Sequence, residues 1–211
     1  MKQTLISASI VAMLSSGAIA GNIDTATADP VITPPASTST DWSGSYCGLS
    51  YSSGGGTDAG SNGSTYDYFD DTAIGVFCGN NWQRSNLVYG GELNVTAGSL
   101  VLDDGWGGEL GTRTELRARV GYAMGDALVY GFLGYGTSEI TWVGGTPPFG
   151  YDVAGGTYGM GVDYMVTDSM FAGFEVSNLE LTGTPTVGTG HVVEYTHDIT
   201  VISLRIGWKF N

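Results

Sequence analysis

The sequence is poor in charge, and especially poor in positive charge. Only 13% of its 211 residues are Asp, Glu, Lys or Arg, and seven Lys and Arg stand against 21 Asp and Glu. A soluble domain usually carries about 25–35% charged residues on its surface, so this composition argues against a soluble protein. The net charge of −14 also argues against nucleic acid as a partner, because binding to phosphates needs clustered Lys and Arg.

Long apolar runs are missing after the first twenty residues. A membrane-spanning helix needs about 20 predominantly apolar residues, and no stretch after residue 20 approaches that length. Only helices and closed β-barrels satisfy every backbone N–H and C=O group inside a bilayer. Low charge without a spanning helix therefore predicts a membrane barrel.

Residues 1–20 have the features of a secretory signal peptide. Lys2 supplies the positive start, an apolar stretch runs from Leu5 to Leu14, and Ala18-Ile19-Ala20 matches an A-x-A cleavage site. Residues 21–41 are rich in Pro, Thr, Ser and Ala and show no periodicity, which predicts a disordered or extended leader. We therefore expect export and place the folded domain at residues 42–211.

From Trp42 onward, apolar residues alternate with small or polar ones, which is the pattern of strands between two environments. Each repeat is long enough to cross a bilayer as a tilted strand, which takes about 9–11 residues. The eight predicted strands cover approximately residues 43–52, 72–83, 87–99, 110–123, 128–142, 154–166, 169–182 and 198–210.

The connections between these strands alternate in length. Short ones fall near residues 84–86, 125–127 and 167–168, and long ones cover about 53–71, 100–109, 143–153 and 183–197. Outer-membrane barrels have short periplasmic turns and longer external loops. The chain is therefore predicted to be all-β, an eight-stranded antiparallel transmembrane β-barrel of the outer-membrane type.

The two faces of each strand differ in a way that suits lipid outside and a polar lumen inside. On the last strand, Leu204, Ile206 and Trp208 share one face, while Arg205 and Lys209 share the other. Isolated ions inside a narrow barrel would cost several kcal/mol each, so acids and bases there must pair. The predicted lumen charge network consists of Glu92, Glu115, Arg117, Arg119, Asp163, Glu175, Arg205 and Lys209.

Aromatic residues recur near the strand ends, where barrels carry interfacial girdles. Tyr46 and Phe77 are instead expected to help fill the lumen. The predicted girdle comprises Trp42, Tyr51, Trp82, Tyr89, Tyr122, Trp142, Tyr164, Trp208 and Phe210.

The two cysteines, Cys47 and Cys78, fall on the outward faces of the first two predicted strands, which are antiparallel neighbours. Cys47 follows Trp42 by five residues and Cys78 precedes Gln83 by five, so equal offsets place them at one height. Paired thiols in an oxidising compartment tend to oxidise. A cross-strand disulfide and two small lipid-facing thiols are both compatible with the residues.

Four motifs occur in order along the predicted strands. Residues 75–83 (GVFCGNNWQ) and 88–92 (VYGGE) form the first, and residues 116–122 (LRARVGY), 159–164 (GMGVDY) with Glu175, and 205–210 (RIGWKF) form the other three. The first resembles the G-x-x-x-G-Y-N-W-Q … G-x-E pattern of small alphaproteobacterial surface-antigen barrels of the opacity-protein and OmpA-like porin superfamily, with Asn80 in place of the usual Tyr. The other three are similar to that family's fourth, sixth-to-seventh and closing strands.

The resemblance implies an outer-membrane structural protein and surface antigen without enzymatic activity. It also implies outer-membrane lipid and the barrel-assembly machinery as partners, with Trp208 and Phe210 as the C-terminal assembly signal. It names no cofactor, and the sequence identifies no external ligand or host partner.

The residues offer little for catalysis or metal binding. The two histidines are His191 and His197, and a base oriented by Asp198 would need His197 beside Thr196 or Ser203. A solvated loop histidine is the simpler interpretation, and the dispersed His and Cys residues match no metal motif. The loop acids are expected to form a solvated rim, with divalent-cation binding as the alternative.

Three functions compete at this point. A structural or surface-exposed barrel is preferred over a small-solute channel, because side chains just fill the interior of eight strands. A lipid-modifying barrel enzyme is the third. No catalytic, cofactor-binding or metal-binding residue is proposed.

Overall fold

The computed structural model describes residues 40–68, 71–98, 100–101, 108–142, 149–185 and 193–210. The predicted signal peptide and most of the predicted leader lie outside these residues. Within them the chain forms eleven strands: β1 (Gly44–Gly60), β2 (Thr65–Asp67), β3 (Asp71–Arg84), β4 (Leu87–Ala97), β5 (Leu100–Val101), β6 (Gly108–Leu110), β7 (Arg113–Met124), β8 (Ala127–Trp142), β9 (Phe149–Met165), β10 (Met170–Gly183) and β11 (Tyr195–Phe210). No helix in these ranges is long and apolar enough to cross a membrane.

Eight long strands close into a ring, which confirms the predicted fold class. Their order is β1, β3, β4, β7, β8, β9, β10 and β11, and all neighbours are antiparallel. β11 pairs with β1 from Ser45 opposite Phe210 to Gly60 opposite Tyr195, so no edge of the ring stays open. The short strands β2, β5 and β6 add to the end of the barrel that carries the long connections.

Three strands continue well past their predicted ends at that same end of the barrel. β1 runs to Gly60 instead of residue 52, β9 begins at Phe149 instead of 154, and β11 begins at Tyr195 instead of 198. The alternation of apolar and polar residues disappears there because outward side chains no longer face lipid. The backbones still pair, so the strands continue. Part of each predicted long loop is therefore strand.

The short connections are tight hairpins. Ser85 and Asn86 join β3 to β4, and Gly125 and Asp126 join β7 to β8. The first residue of each pair has a positive φ, 57° at Ser85 and 61° at Gly125. A positive φ at that position is typical of the type II′ turns that match the twist of two adjacent strands.

The barrel is inside-out, as the alternation predicts. On β7, Leu116 and Val120 are 66% and 54% exposed, whereas Arg117 and Arg119 between them are 4% and 5% exposed. On β11 the outward apolar set runs from Ile202 to Phe210, and the outward residues beyond it are polar. The exterior is therefore an apolar band with a polar collar on the long-loop side.

Aromatic side chains lie at the edges of this band, with one correction to the predicted girdle. Trp42 is 2% exposed and packs edge-to-face against Phe171 inside the barrel, because it precedes β1 and enters the lumen from the short-turn end. The side chain of Trp142 lies outside the described residues. The exposed members are Tyr51, Trp82, Tyr89, Tyr122, Tyr164, Trp208 and Phe210.

The lumen is filled in three layers. At the short-turn end an aromatic cluster includes Trp42, Tyr46, Phe77 and Phe171. Charged side chains occupy the middle. At the long-loop end a second apolar cluster is built on Leu110, Ile140, Leu179, Leu181 and Ile199.

Candidate functional site

The middle layer contains seven of the eight residues predicted for the lumen charge network. β7 contributes three of them at alternate positions, and β4, β9, β10 and β11 contribute one each, so period-2 geometry points all of them inward. All seven are at most 5% exposed. They are Glu92, Glu115, Arg117, Arg119, Asp163, Glu175 and Arg205.

Arg205 joins two acids from opposite sides of the ring. Its Nη2 lies 2.6 Å from Oε2 of Glu92, and its Nη1 contacts Oε2 of Glu175. Its guanidinium carbon also lies 3.9 Å from the ring centroid of Phe77. This side chain therefore connects the charged layer to the aromatic layer below it.

Two further arginines complete the connections. Arg119 lies 3.1 Å from Oε2 of Glu92 and 2.8 Å from Oδ2 of Asp163. Arg117 lies 2.7 Å from Oε1 of Glu175 and 2.9 Å from Oε2 of Glu115. Each arginine thus contacts at least two acids, and the seven residues form one continuous network.

Neutral hydroxyl groups support the carboxylates. The hydroxyl of Tyr46 donates to Glu92 over 2.9 Å, that of Tyr130 donates to Glu175 over 2.9 Å, and that of Thr157 donates to Glu115 over 2.9 Å. Such bonds satisfy lone pairs that the arginines leave unused, which a buried charged network requires.

Two glycines leave room for these hydroxyls. A Cβ atom added at Gly79 would lie 2.5 Å from Oη of Tyr46, and one at Gly161 would lie 2.5 Å from Oη of Tyr130. Both glycines face the lumen, which accounts for part of the high glycine content of the strands.

The structure places Tyr46 in the lumen, as expected, and adds Arg113 and Tyr130, which sequence reasoning missed. Arg113 is 3% exposed and stands two residues before Glu115 on the inward face of β7. Its parity with Glu115 and Arg117 was the available signal. With it, the lumen contains four arginines and four acids at this level.

Lys209 does not join the network, contrary to the prediction. It shares the inward parity of Arg205 but lies at the short-turn end of β11, and its Nζ donates to the backbone carbonyl of Asp41. Alternation identifies the face of a strand and carries no information on depth along the barrel. Hydrogen bonds from the side chain and backbone of Ser43 lower the pKa of Asp41 at this rim.

Cys47 and Cys78 are direct cross-strand partners and are joined by a disulfide between β1 and β3. Both face outward, Cys47 between Ser45 and Leu49, and Cys78 between Val76 and Asn80. The bond ties together two strands whose sequence separation at this point is 31 residues.

His197 lies inside the barrel, not in a solvated loop. Its Nδ1 is 2.7 Å from the hydroxyl of Tyr68 and 3.3 Å from Oδ1 of Asp58, and its Nε2 is 3.2 Å from the hydroxyl of Tyr151. His197 stands on β11 five residues beyond Ile202, where the apolar band ends. Burial of the imidazole lowers the pKa of His197 to about 4.

The side chain of Asp198 faces the opposite way, where Asn178 donates to it over 2.7 Å. The two neighbours therefore cannot form the oriented base considered above. His191 lies outside the described residues.

A closed, inside-out barrel with an apolar exterior band and a charged lumen defines an outer-membrane β-barrel protein. Comparison with known proteins agrees. The model of the family described as "Outer membrane protein beta-barrel domain" matches residues 25–210. The chain belongs to this family and to the outer membrane.

Two relatives and one solved structure show the range of similarity. A "22 kDa outer membrane protein" of Rhizobium leguminosarum bv. viciae is 33% identical over 134 residues, covering 61% of this chain and 59% of that relative. A "25 kDa outer-membrane immunogenic protein" of Brucella canis is 29% identical over 170 residues, covering 80% and 79%. The attachment invasion locus protein Ail of Yersinia pestis gives a TM-score of 0.48 at 11% identity, covering 79% of this chain and 99% of that one.

Both relatives are named as outer-membrane proteins and not as enzymes, and the one from Brucella canis is named as immunogenic. The resemblance to surface-antigen barrels is therefore confirmed. The chain is a structural, surface-exposed barrel of the outer membrane.

Proposed function

We propose that this protein is a closed, non-enzymatic barrel whose role is structural, presenting its long loops at the cell surface while its lumen stays plugged. The observation that supports this most directly is the continuous network of three arginines and four acids across the middle of the lumen. Apolar clusters lie on both sides of it. A solute would have to break several buried ion pairs to pass.

The arrangement around His197 supports a non-enzymatic role. Its ring contacts two tyrosine hydroxyls and Asp58 in a fully buried position, and Ser203 lies three lumen-facing positions further along β11. Nucleophilic catalysis needs a reactive hydroxyl that substrate can reach. A His197→Ala protein with unchanged lipid-modification products in the membrane would agree with this interpretation.

Planar-bilayer recording of the purified, refolded protein tests the plug. The expected result is a membrane without stable conductance steps, with a large porin recorded in the same lipid as the positive control. Steps whose size follows the concentration of a small solute would instead identify a channel and contradict the proposal.

The cellular role is tested by deleting the gene. We expect such cells to become more sensitive to detergent and to chelators, and expression of the intact barrel to restore resistance. Loss of uptake of one solute, with normal detergent resistance, would point to the channel instead.

We also propose that Trp208 and Phe210 serve as the C-terminal assembly signal. They alternate outward on β11, 40% and 56% exposed, at the short-turn end where the last strand pairs with the first. Replacing Phe210 by Ser is expected to lower the amount of folded barrel in the membrane without changing its folding in detergent.

A further inference from the structure

Four side chains with metal-binding donor atoms meet inside the loop end of the barrel, beyond the apolar band. His197 and Asp58 are buried and stand directly opposite each other on β11 and β1. Tyr68 follows β2, and its backbone N–H donates to the carbonyl of Gly56 on β1 over 2.8 Å. Tyr151 reaches the same place from β9. The closed barrel thus brings an imidazole, a carboxylate and two phenols together from four segments of the chain.

Two donor oxygens stand beside Nδ1 of His197 at the spacing of metal ligands. Oη of Tyr68 lies 2.7 Å from this nitrogen, and Oδ1 of Asp58 lies 3.3 Å from it. A zinc ion lies about 2.0–2.2 Å from its nitrogen and oxygen ligands. An ion at that distance from both atoms of each pair would have ligand angles of about 80° and about 105°, near octahedral and tetrahedral values. Both donor pairs therefore suit a shared ion.

The second ring nitrogen of His197 has the partner that a metal-binding histidine needs. Its Nε2 lies 3.2 Å from the hydroxyl of Tyr151. With the proton on Nε2, the ring donates to Tyr151 and directs the lone pair of Nδ1 towards Tyr68 and Asp58. Histidines that bind metals usually donate their other N–H to an oxygen acceptor. Both tyrosines belong to the apolar cluster at the long-loop end, and such a shell limits the access of water to a metal site.

The buried charges of the described lumen do not balance. Four arginines are buried there together with five acids, which are the four acids of the middle layer and Asp58. The remaining Lys and Arg of the sequence are Lys2 in the predicted signal peptide and Arg84 and Lys209 at the short-turn end. The four acids of the middle layer contact arginines. Because an excess charge is costly in such an interior, a cation is favoured beside Asp58.

We propose that His197, Asp58 and Tyr68 bind one divalent transition-metal ion, and that Tyr151 orients the imidazole. The ion replaces the hydroxyl proton of Tyr68, which is released to solvent, because a ligand must be deprotonated to bind. The site then gains one positive charge, which removes the buried excess, whereas a trivalent ion would leave a positive excess. Imidazole nitrogen suits Zn²⁺ and Cu²⁺, whereas Ca²⁺ and Mg²⁺ bind through oxygen ligands.

The bound ion joins β1, β11 and the segment after β2 across the loop end of the lumen. A ligand that binds the folded state and not the unfolded chain stabilises the fold. This metal site goes beyond the structural role proposed above and does not depend on a closed or an open lumen.

Calorimetric titration of the untagged mature protein tests the site, after refolding in detergent and removal of metals with EDTA. We expect one Zn²⁺ to bind per barrel at micromolar concentration and to raise the unfolding temperature, without competition from millimolar Mg²⁺. Absence of Zn²⁺ binding would overturn the proposal and leave a proton on Asp58 or His197 to balance the buried charge. Several weakly bound ions per barrel would show surface binding only and would overturn it too.

Matched variants identify the ligands. Asp58→Asn and Tyr68→Phe each remove one donor while keeping the shape of the side chain, and each should weaken Zn²⁺ binding more than about a hundredfold. Tyr151→Phe should cost about 10–100-fold, as the loss of an outer partner usually does. The controls are Asp152→Asn and Tyr158→Phe, which make the same changes on the outward face of β9. Equal weakening in a variant and its control would contradict a specific site.

Cu²⁺ gives a signal that a merely structural role of Tyr68 would not produce. A phenolate bound to Cu²⁺ absorbs visible light by charge transfer, and a bound imidazole splits the electron paramagnetic resonance spectrum through its nitrogen. We expect both signals in the unchanged protein, and Tyr68→Phe should lose the absorption band while keeping the nitrogen splitting at higher Cu²⁺ concentration. A band that persists in Tyr68→Phe would overturn the proposal.

Each variant is first shown to fold by its heat-dependent shift in gel mobility. If Tyr68→Phe does not fold, the spectrum of the unchanged protein decides alone. Bound Cu²⁺ without the absorption band would exclude a phenolate ligand and so overturn the proposal.

Discussion

At the scale of single residues, Arg205 holds the central position in the lumen because it contacts Glu92 and Glu175 at once. Replacing it by Ala would leave two buried acids without their nearest counter-charge. The expected destabilisation is about 3–5 kcal/mol, measured as a lower midpoint of urea unfolding in detergent micelles. Lys209→Ala is the control on the same strand face, and it should cost less than about 1 kcal/mol because its partner is a carbonyl at the rim.

The disulfide between Cys47 and Cys78 leads to a second prediction at the scale of single residues. Cys47 and Cys78 face outward and are direct partners on β1 and β3. Purified protein that has been denatured without reductant should therefore show no reactive thiols, and two should appear after reduction. Two reactive thiols before reduction would mean that the bond does not form in the cell.

The sequence predicts that Cys47 and Cys78 face outward on neighbouring strands, because strand pairing and outward parity both follow from local patterns. Trp42 and Lys209 were placed wrongly for a common reason. Both lie at the short-turn end of the barrel, where the chain enters or leaves the wall. Alternation gives the face of a strand, but depth along the axis and the path before the first strand depend on tertiary packing.

At the scale of elements, the strands are held close together where lumen-facing glycines accept the side chains of neighbouring strands. Gly161→Ala would bring a methyl group within 2.5 Å of Oη of Tyr130 and 2.8 Å of the carbonyl oxygen of Phe174. Crowding of this kind typically costs about 1–3 kcal/mol. The loss should appear in the same urea titration.

Gly91→Ala is the matched control. Gly91 faces outward on β4, and an added Cβ atom there would lie 3.8 Å from its nearest neighbour, the carbonyl oxygen of Arg117. This variant should be neutral or slightly more stable. Equal urea midpoints for Gly161→Ala and Gly91→Ala would mean that crowding in the lumen does not explain the glycine at position 161.

The strand boundaries show where sequence reasoning works and where it stops. β3, β4, β8 and β10 were predicted to within two residues at each end, because lipid on one side enforces alternation. β1 continues through Gly54, Gly55 and Gly56, a run that is typical of a loop. Pairing with β11 keeps it extended, and that information lies about 145 residues away in the chain.

The candidate site also has one part that the sequence predicts and one part that it does not. The charges of the middle layer are visible in the sequence because charged residues are rare in this chain and recur at alternate positions. The cluster of Asp58, Tyr68, Tyr151 and His197 is not visible, because its members come from segments assigned to loops. Only the closed barrel brings them together.

At the scale of the whole molecule, the exposed positive charges of the described residues are confined to the short-turn end of the barrel. The arginines and lysine of the described residues lie in the lumen or at the short-turn end, while Glu139, Asp152, Glu180, Glu194 and Asp198 stand on the outer side near the long loops. This separation gives a direct test of orientation on intact cells.

Trypsin cleaves after Lys or Arg, so it should not cut this protein on intact cells. An endoproteinase specific for Glu should cleave it, and Glu194 is the exposed site next to the connection before β11. Immunoblotting with an antibody against the barrel detects the fragments. Tryptic cleavage after Arg84, in the hairpin between β3 and β4, would place the short turns outside and reverse the orientation.

The pairing of β11 with β1 has a consequence for biogenesis. Sixteen successive residue pairs join the first strand of the ring to the last. Until the final strand has been made, a nascent chain therefore carries two unpaired edges, and neither edge can be stable in lipid. The barrel therefore cannot be completed in the bilayer strand by strand, because the wall has no open edge only when the last strand pairs with the first.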